Sequence, residues 1–399
     1  MRRPPRVLIA LLALIIISAS TVLTIKFAKG YRPSLSTKGL KGTGLLAANS
    51  YPRGASVFIN EKLTTATDDT LNLPPGQYQV KIQKDGYITW EKTLKIEAEL
   101  VTQTNTRLFP AVPTLTPVTF SGALNPLPAP DSQKIVFSVA NATSDSKNGL
   151  YVLDLTDRPF GLNSDPRQIT QTTSKYDLVS AKLTWSPDSA QILALVNEGE
   201  VNETNVLLDQ SRFNDMAELK DVTARLPLIL ADWQEILDKK SHEKIAELPE
   251  LMQQVATAAA ALAFAPEPEK LLYIPTAEIT LTENLGPPLP ASSNQDEQRR
   301  LQPNNVYVYD LKEDKNFWIA SAADLAKILW YSDSRHLLIV EDKKIILAEY
   351  DGTNRHTVYA GPFVGEFAYP WANGSSLLIL ASLNGGSALP PNLYSIILK

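Results

Sequence analysis

Histidine and repeated aspartate are the residues of this chain with the chemistry for metal binding or proton transfer. The chain has three histidines, His242, His336 and His356, and no two of them have the H-x-x-x-H or H-E-x-x-H spacing of a helical zinc site. Cysteine is absent, which excludes disulfides, thiolate metal sites and cysteine nucleophiles. We therefore interpret the histidines as structural or solvated, and predict no metal and no cofactor.

The aspartates Asp131, Asp188 and Asp333 recur in similar surroundings, and recurring carboxylates suggest acid–base or metal chemistry. Each is followed by a serine and then by a short apolar strand. Asp and Ser stabilise turns by hydrogen bonding to the nearby backbone. We interpret the three aspartates as turn residues at equivalent positions of a repeat, and we predict no catalytic residue.

A turn followed by an apolar strand, repeated along one chain, predicts a stacked or radial repeat architecture. Strand patterns form five sets, the fifth of which lacks an outer strand, while the apolar stretch Leu115–Phe120 precedes the first set without a partner. A closed ring removes both open edges. The sequence thus predicts an all-β protein with a five-bladed β-propeller over residues 114–399, closed by residues near 114–120.

Two insertions interrupt the predicted propeller, a helical insert at 228–261 and a flexible loop at 281–303. The insert has Leu230, Trp233 and Ile236 at helical spacing. Its apolar stripe packs either on the propeller itself or on a partner, and both alternatives stay open.

Four tryptophans, Trp185, Trp330, Trp371 and Trp233, form the candidate binding surface. The first three lie near the ends of inner strands, at positions that we interpret as equivalent. They form either the core between blades or an aromatic rim around a central channel that binds a peptide or glycan. Trp233 belongs to the helical insert.

The N-terminus contains an uncharged, mostly apolar run from Val7 to Ile25, which is long enough to cross a bilayer as a helix. A cleaved signal peptide is the alternative, because Ser18–Ser20 offers small residues for a peptidase. We predict a cytoplasmic tip and an uncleaved transmembrane helix within 1–30, followed by a linker at 31–49. The predicted topology is single-pass in the cell membrane, with the N-terminus inside and the bulk of the chain outside the cytoplasm.

Residues 50–109 are predicted to form a small β domain, because three segments alternate apolar and polar residues around Pro-Pro-Gly and Asp-Gly turns. This segment resembles the PEGA domain, a small β-sandwich-like module of bacterial and archaeal envelope proteins, although Arg53 stands where the family has Glu. The resemblance implies a surface or cell-wall context and no catalytic residue. It is carried by three runs: Pro52-Arg53-Gly54-Ala55-x-Val57-x-Ile59, Leu73-x-x-Gly76-x-Tyr78-x-Val80, and Lys84-x-Gly86-Tyr87 with Trp90.

The region from about 118 to 399 resembles the propellers of TolB and related WD40-like proteins. The resemblance is carried by the Ser-Pro-Asp-Ser turn at 186–189 and by strands that end in Asp, such as Tyr151–Asp154. These motifs are short, and they imply an architecture and not an activity.

The charge balance is slightly acidic, with a net charge of −5 and a pI of about 5.5, which argues against general nucleic-acid binding. We predict a non-enzymatic, envelope-anchored binding or scaffolding protein in bacteria. Its expected partners are the membrane and either an envelope protein or a cell-wall glycan. A propeller hydrolase or lyase acting on an extracytoplasmic glycan or peptide is the alternative, and a purely structural wall spacer is a third possibility.

Overall fold

The computed structural model describes residues 6–28, 31–34, 39–156, 165–173, 176–196, 203–215, 217–283, 285, 295–383 and 390–399. The chain divides into two compact units. The first comprises residues 1–109 with 288–296, and the second comprises 110–287 with 297–399. Most regular structure in both units is β-strand.

Helix α1, Arg6–Ala28, begins the first unit. Its segment Ile9–Ala28 is apolar and exposed, and among the described residues it is the one helix long and apolar enough to cross a membrane. The helix is about 35 Å long at 1.5 Å per residue, which exceeds the roughly 30 Å hydrocarbon core of a bilayer. The helix fits a membrane anchor or a signal sequence.

The rest of the first unit is a β domain with one buried core. In strand β8, Val80 and Ile82 are buried while Gln79 and Gln83 are exposed, which is the alternation that the sequence predicts. The sheets are β6-β5-β8-β9, β10-β3-β7, β11-β4 and the hairpin β1-β2. The strands are β1 Arg32–Ser34, β2 Gly39–Lys41, β3 Gly44–Ala48, β4 Ser50–Tyr51, β5 Ser56–Ile59, β6 Lys62–Ala66, β7 Asp69–Leu73, β8 Gly76–Gln83, β9 Trp90–Ile96, β10 Val101–Gln103 and β11 Thr106–Arg107.

The prediction of a linker at 31–49 is wrong for its second half. Strand β3 lies in the middle of a sheet, and its side chains Leu46 and Ala48 are fully buried. The first residue of β3 is Gly44, and the position requires glycine because a Cβ atom there would lie 2.3 Å from the Glu97 carbonyl oxygen. The β domain therefore starts before residue 50, the predicted boundary.

The second unit contains five antiparallel sheets that follow one another along the chain, which we call blades 1 to 5. Blade 1 is β13 Leu124–Pro128, β14 Lys134–Val139, β15 Gly149–Asp154 and β16 Arg167–Gln171; blade 2 is β17 Lys182–Trp185, β18 Gln191–Val196 and β19 Thr204–Asp209. Blade 3 is β20 Ala261–Phe264, β21 Lys270–Ile274, β24 Asn305–Asp310 and β25 Lys315–Ser321, with a side hairpin of β22 Ile279–Thr280 and β23 Arg300–Leu301. Blade 4 is β26 Lys327–Trp330, β27 His336–Glu341, β28 Lys344–Glu349 and β29 His356–Ala360; blade 5 is β30 Ala368–Pro370, β31 Ser376–Ala381, β32 Asn392–Ile397 and β12 Thr114–Pro117.

The predicted pairing of the early strand with the last sheet is confirmed. Strand β12 is the outer strand of blade 5 and pairs with β32, Thr114 opposite Ile397 and Pro117 opposite Tyr394. The Thr119 hydroxyl continues the contact, because it lies 3.0 Å from Asn392 Oδ1 and accepts the Leu393 N–H at 2.9 Å.

Neighbouring blades share hydrophobic cores. The consecutive residues Val136 and Phe137 of β14 point to opposite faces of the sheet. Val136 lies in a core shared with blade 2, and Phe137 lies in a core shared with blade 5. Blades 3 and 4 share a third core, and the Ser332 hydroxyl of blade 4 donates to the Trp371 carbonyl of blade 5. The order 2–1–5–4–3 that these contacts give is the blade order of a five-bladed β-propeller.

The strand pattern of the sequence also predicts a fourth strand of blade 2 at Leu219–Thr223, and the structure does not form it. A single bridge remains, between Val206 and Asp221. The Asp221 carboxylate accepts the Thr223 N–H at 2.8 Å and so begins a 3-10 turn, Thr223–Arg225, that leads into the insert. A local hydrogen bond from the backbone to a side chain therefore competes with strand pairing at the edge of blade 2.

The helical insert consists of α2, Leu226–Ala246, and α3, Glu250–Thr257, so it begins two residues before the predicted 228. Helix α3 buries Met252 and Val255 in a core with Leu271 and Tyr273 of blade 3. Helix α2 contacts blade 2 through Lys240 Nζ, which donates to the Pro187 carbonyl at 3.0 Å. The insert thus packs on both blade 2 and blade 3.

Candidate interaction surface

The three recurring aspartates are turn residues, as predicted. The residue that follows each of them, Ser132, Ser189 or Ser334, has a φ of 57–59°, the left-handed conformation of a tight turn. In each turn the aspartate Oδ1 accepts a backbone N–H two residues further on: Gln133 at 2.9 Å for Asp131, Ala190 at 3.1 Å for Asp188 and Arg335 at 3.0 Å for Asp333.

The turn serines connect neighbouring blades. Ser189 Oγ of blade 2 accepts the Asp131 N–H of blade 1 at 3.0 Å, and Ser334 Oγ of blade 4 accepts the Glu267 N–H at the equivalent turn of blade 3 at 2.8 Å. Both serines are buried. The Asp-Ser motif therefore closes a turn with its first residue and joins two blades with its second.

The environment of Asp188 stabilises its charged form. The Ser186 hydroxyl and the Ala190 N–H both donate to Oδ1, and these bonds lower the pKa of the carboxyl below its usual value. A general acid at neutral pH needs the opposite shift. This carboxylate is suited to holding a turn.

The prediction that Trp185, Trp330 and Trp371 form a binding surface is wrong. Their side chains are 3–8% exposed and lie in the cores between blades. Trp185 Nε1 donates to the Leu127 carbonyl at 3.0 Å, and Trp330 Nε1 donates to the Ala263 carbonyl at 2.8 Å. In both cases the acceptor lies on the innermost strand of the preceding blade, so these two residues are equivalent.

Trp371 is one position further along its strand than Trp185 and Trp330. The Trp371 N–H donates to the carbonyl oxygen of Ser376, five residues later. Ser186 makes the same bond with Gln191, and Tyr331 makes it with His336, so Trp371 is equivalent to these two residues and not to Trp185 and Trp330. A shift of one residue turns a side chain to the opposite face of a sheet. Trp371 accordingly packs against blade 1, and its buried Nε1 has no hydrogen-bond partner in the described part of the chain.

The histidines occupy separate environments. His336 is buried and its Nδ1 lies 2.8 Å from Asp333 Oδ2, within the same turn. His356 is half-buried on the outer strand of blade 4, where burial lowers its pKa. His242 is exposed on α2. Over the described ranges no three His, Asp or Glu side chains are grouped as a metal site would require.

Blade 3 contains a buried polar network that the sequence does not reveal. The Tyr309 hydroxyl donates to Asp314 Oδ1 at 2.9 Å, and Arg299 Nη1 lies 3.5 Å from the same oxygen. The Tyr273 hydroxyl donates to Asn316 Oδ1 at 2.8 Å. Burial raises the pKa of both tyrosines, so they stay neutral donors at ordinary pH.

Arg299 lies within the segment 281–303 that we predicted to be a flexible loop. Most of that segment before residue 295 lies outside the described residues. The part from 295 to 303 is bonded to the blade, since the Gln298 N–H donates to the Asn316 carbonyl at 2.7 Å and β23 pairs with β22. The end of the predicted loop is therefore held in place.

Helix α2 carries the largest group of exposed apolar residues outside α1 in the described chain. Leu228 is 66% exposed, Leu230 is 42% exposed, and Ile236 and Leu237 are each 44% exposed. Trp233 lies among them and is half-buried. Of the four predicted surface tryptophans, Trp233 is the one that the structure places beside exposed apolar residues.

Residues 43–111 match the family model of the PEGA domain, which confirms the resemblance seen in the motifs. The match starts at residue 43, next to the first residue of β3. A search of curated proteins found no match.

Solved structures that match this chain include two TolB proteins and an initiation factor. The TolB structure from Agrobacterium tumefaciens is 10% identical and has a TM-score of 0.23, with 68% of this chain and 78% of that chain covered. TolB from Acinetobacter baumannii is 12% identical with a TM-score of 0.23, and the match covers 81% of this chain and 60% of that one. A eukaryotic initiation factor is 8% identical with a TM-score of 0.21, and the match covers 82% and 72%. The propeller assignment rests on the strand pairing and the shared cores described above.

Proposed function

We propose that this protein is a non-enzymatic binding or scaffolding protein of the bacterial cell envelope. Helix α1 anchors it, with the N-terminus inside and the PEGA domain and propeller outside the cytoplasm. The observation that carries the proposal is that an apolar helix ending at Ala28 precedes a PEGA domain match that begins at residue 43. Domains of this type belong to envelope and surface proteins.

The use of the polar side chains supports binding over catalysis. The recurrent aspartates hold turns, the turn serines join blades, and the tyrosines of blade 3 are buried and neutral. A catalytic site needs a nucleophile or acid–base pair facing a space that a substrate can enter. The polar groups described above are instead engaged within the fold.

Recognition of a protein partner would use apolar and aromatic side chains at an exposed surface, because such residues supply most of the binding energy at interfaces. Helix α2 offers this composition in the propeller unit. A cell-wall glycan is the other partner class of the proposal, and it would use exposed aromatic and polar groups.

The test is affinity isolation of the full chain from its own membranes after crosslinking in the cell. The proposal predicts a defined protein or wall fragment bound in stoichiometric amount and recovered unchanged. Release of shortened glycan or peptide products on incubation with the purified chain would contradict it and favour the hydrolase or lyase alternative. Recovery of neither partner nor product would favour the purely structural spacer.

A further inference from the structure

Strands β3 and β4 of the PEGA domain run parallel to β10 and β11, with Gln103 opposite Ala47 and Arg107 opposite Tyr51. Backbone hydrogen bonds continue between these two pairs, so the four strands form one ladder. Side chains on a strand alternate between its two sides. The buried side of the ladder carries Leu46, Ala48, Ser50, Thr102 and Thr106. The outer side, which we call the amide face, carries Asn49, Tyr51, Gln103, Asn105 and Arg107.

Three carboxamides of the amide face are joined in a chain of hydrogen bonds. Asn49 Nδ2 donates to Asn105 Oδ1 at 3.1 Å, and Asn105 Nδ2 donates to Gln103 Oε1 at 2.7 Å. A carboxamide has both acceptor lone pairs and N–H donors. The chain therefore ends in an acceptor, Asn49 Oδ1, and in a donor, the Gln103 amino group. Neither end has a partner within the described part of the protein.

Tyr51 adds an aromatic ring to the amide face, and its side chain is 54% exposed. Arg107 Cζ lies 5.7 Å from the centre of this ring and 5.7 Å from the centre of the buried Phe109 ring. Because a guanidinium and an aromatic ring attract each other, Arg107 holds the Tyr51 ring against the domain. The ring is thus a preorganised, flat apolar surface for a ligand.

The chemistry of the amide face matches a polysaccharide better than a protein. A protein partner draws most of its binding energy from several large anchors, and the amide face has one ring. A sugar hydroxyl both donates and accepts hydrogen bonds, and the C–H side of a sugar ring can pack on an aromatic side chain. From Gln103 to Arg107 the face extends about 13 Å, four strand residues, which suits an extended chain of sugars.

The charge beside the amide face is also compatible with a polysaccharide. Asp68 borders the face, since its Oδ1 accepts the Ser50 N–H at 3.2 Å, and its Oδ2 lies 3.0 Å from Arg53 Nε. This ion pair balances the carboxylate. The face therefore presents hydrogen-bonding groups more than charge, which disfavours a strongly basic or acidic segment as its ligand.

Building on the proposed function, we infer that the amide face is a binding site for a polysaccharide of the cell wall. A sugar ring stacks on Tyr51, while Asn49 and Gln103 accept from and donate to the hydroxyl or acetamido groups of neighbouring sugars. The PEGA domain then holds the wall while α1 holds the membrane.

The experiment is co-sedimentation of the full chain, purified in detergent, with protein-free peptidoglycan sacculi. We expect saturable binding whose affinity falls at least about tenfold in Tyr51→Ala, because the aromatic anchor is lost. Tyr51→Phe is expected to bind within about twofold of the parent chain, since stacking needs the ring and not the hydroxyl. A loss in Tyr51→Phe as large as that in Tyr51→Ala would contradict stacking.

A second variant separates the amide face from the fold. Gln103→Ala removes an exposed side chain, so we expect the same thermal unfolding temperature and an affinity for sacculi at least about threefold lower. The matched control is Gln77→Ala, at an exposed position of β8 in a different sheet, and it is expected to bind like the parent chain. Unchanged affinity in both Tyr51→Ala and Gln103→Ala, or an equal loss in Gln77→Ala, would overturn the inference.

Soluble competitors show which part of the wall is bound. Glycan strands from which an amidase has removed the peptides are expected to displace the chain from sacculi, whereas free stem peptides are not. Displacement by the peptides alone would overturn the assignment of a polysaccharide.

The two proposals fail in different ways. If the parent chain does not sediment with sacculi, the amide face is overturned as a wall site, and a protein partner recovered by crosslinking in the cell would leave the binding function standing. Release of shortened glycans from sacculi by the parent chain would contradict the non-enzymatic function, and with it the inference that rests on it.

Discussion

At the scale of single residues, the Asp-Ser turns explain why Asp and Ser recur together along this chain. The aspartate accepts the backbone of its own turn, and the serine accepts a backbone N–H of the neighbouring blade. Both functions need a short polar side chain near a left-handed residue, which is what Asp and Ser supply. The repeat motif is thus explained by the assembly of the blades.

The link between blades 1 and 2 can be tested by Ser189→Ala. The substitution leaves the Asp131 N–H without its acceptor, and we expect a loss of about 1–2 kcal/mol in the free energy of unfolding. Urea denaturation measures it. The control is Ser211→Ala, because the Ser211 hydroxyl is exposed and bonds within its own turn, to Asp209. Equal effects of the two substitutions would contradict the account.

The different settings of the tryptophans predict different costs for removing the indole N–H. Trp185→Phe removes a hydrogen bond to the Leu127 carbonyl as well as packing area, whereas Trp371→Phe removes packing area alone. We expect the first variant to be less stable than the second by about 1 kcal/mol. Calorimetric unfolding of the two variants tests the difference, and a larger loss for Trp371→Phe would contradict the register assigned to it.

The half-buried His356 predicts a pH dependence. Burial lowers its pKa in the folded state, while Glu349 opposes and His336 adds to the shift. The folded state then binds fewer protons than the unfolded state, so this contribution to stability is present above about pH 6.5 and is lost as the pH falls through the folded pKa.

His356→Gln removes this titration, so we expect it to reduce the fall in the unfolding temperature between pH 7 and pH 5. His242→Gln, at an exposed position on α2, is the control substitution. A His356→Gln profile that matches the parent chain would contradict the prediction.

At the scale of elements, the contact of the early strand with the last sheet is the feature on which blade 5 depends. Thr119 follows β12 and bonds to the first two residues of β32, about 270 positions later in the chain. We expect Thr119→Val, which keeps the shape and removes the hydroxyl, to lower the free energy of unfolding by about 1–3 kcal/mol because the buried Leu393 N–H loses its acceptor.

Hydrogen exchange at the Leu393 amide measures the local effect, which we expect to be faster exchange in the variant. Thr64→Val, at an exposed edge strand of the β domain, is the matched control. Unchanged exchange at Leu393 would show that closure does not rely on this hydroxyl.

Strands with regular alternation were predictable from the sequence, whereas elements that depend on distant partners were not. Strands β5 and β8 show clear two-residue periods, and both were predicted. Strand β3, Gly44–Ala48, has no polar residue to mark a period, and its partners β7 and β10 are distant in sequence. The predicted fourth strand of blade 2 is replaced by a 3-10 turn in which the Asp221 carboxylate accepts the Thr223 N–H, a local bond that a strand pattern does not reveal.

The candidate site was predictable only in part. Trp233 and its apolar neighbours were visible as a helical stripe, but the sequence could not show that Leu230 and Leu237 are exposed while Lys240 bonds to blade 2. The other three tryptophans were interpreted as candidate surface anchors because they lie near the ends of inner strands. Their burial depends on the packing of neighbouring blades, which local sequence does not encode.

At the scale of the whole molecule, an apolar helix, a PEGA domain and five propeller blades succeed one another in one chain. The proposed function requires that everything after α1 is exposed on the outer side of the cytoplasmic membrane, where envelope partners are found. His336 and the tyrosines Tyr273, Tyr307 and Tyr309 are buried inside blades, whereas α2 is exposed.

The measurement that tests this account most directly is protease accessibility in spheroplasts that carry the full chain with an epitope tag after Lys399. We predict that added protease removes the tag from intact spheroplasts while a cytoplasmic marker protein survives, and that untreated chain stays in the membrane fraction. A tag that is protected until the spheroplasts are lysed would place the PEGA domain and the propeller in the cytoplasm and contradict the proposed function.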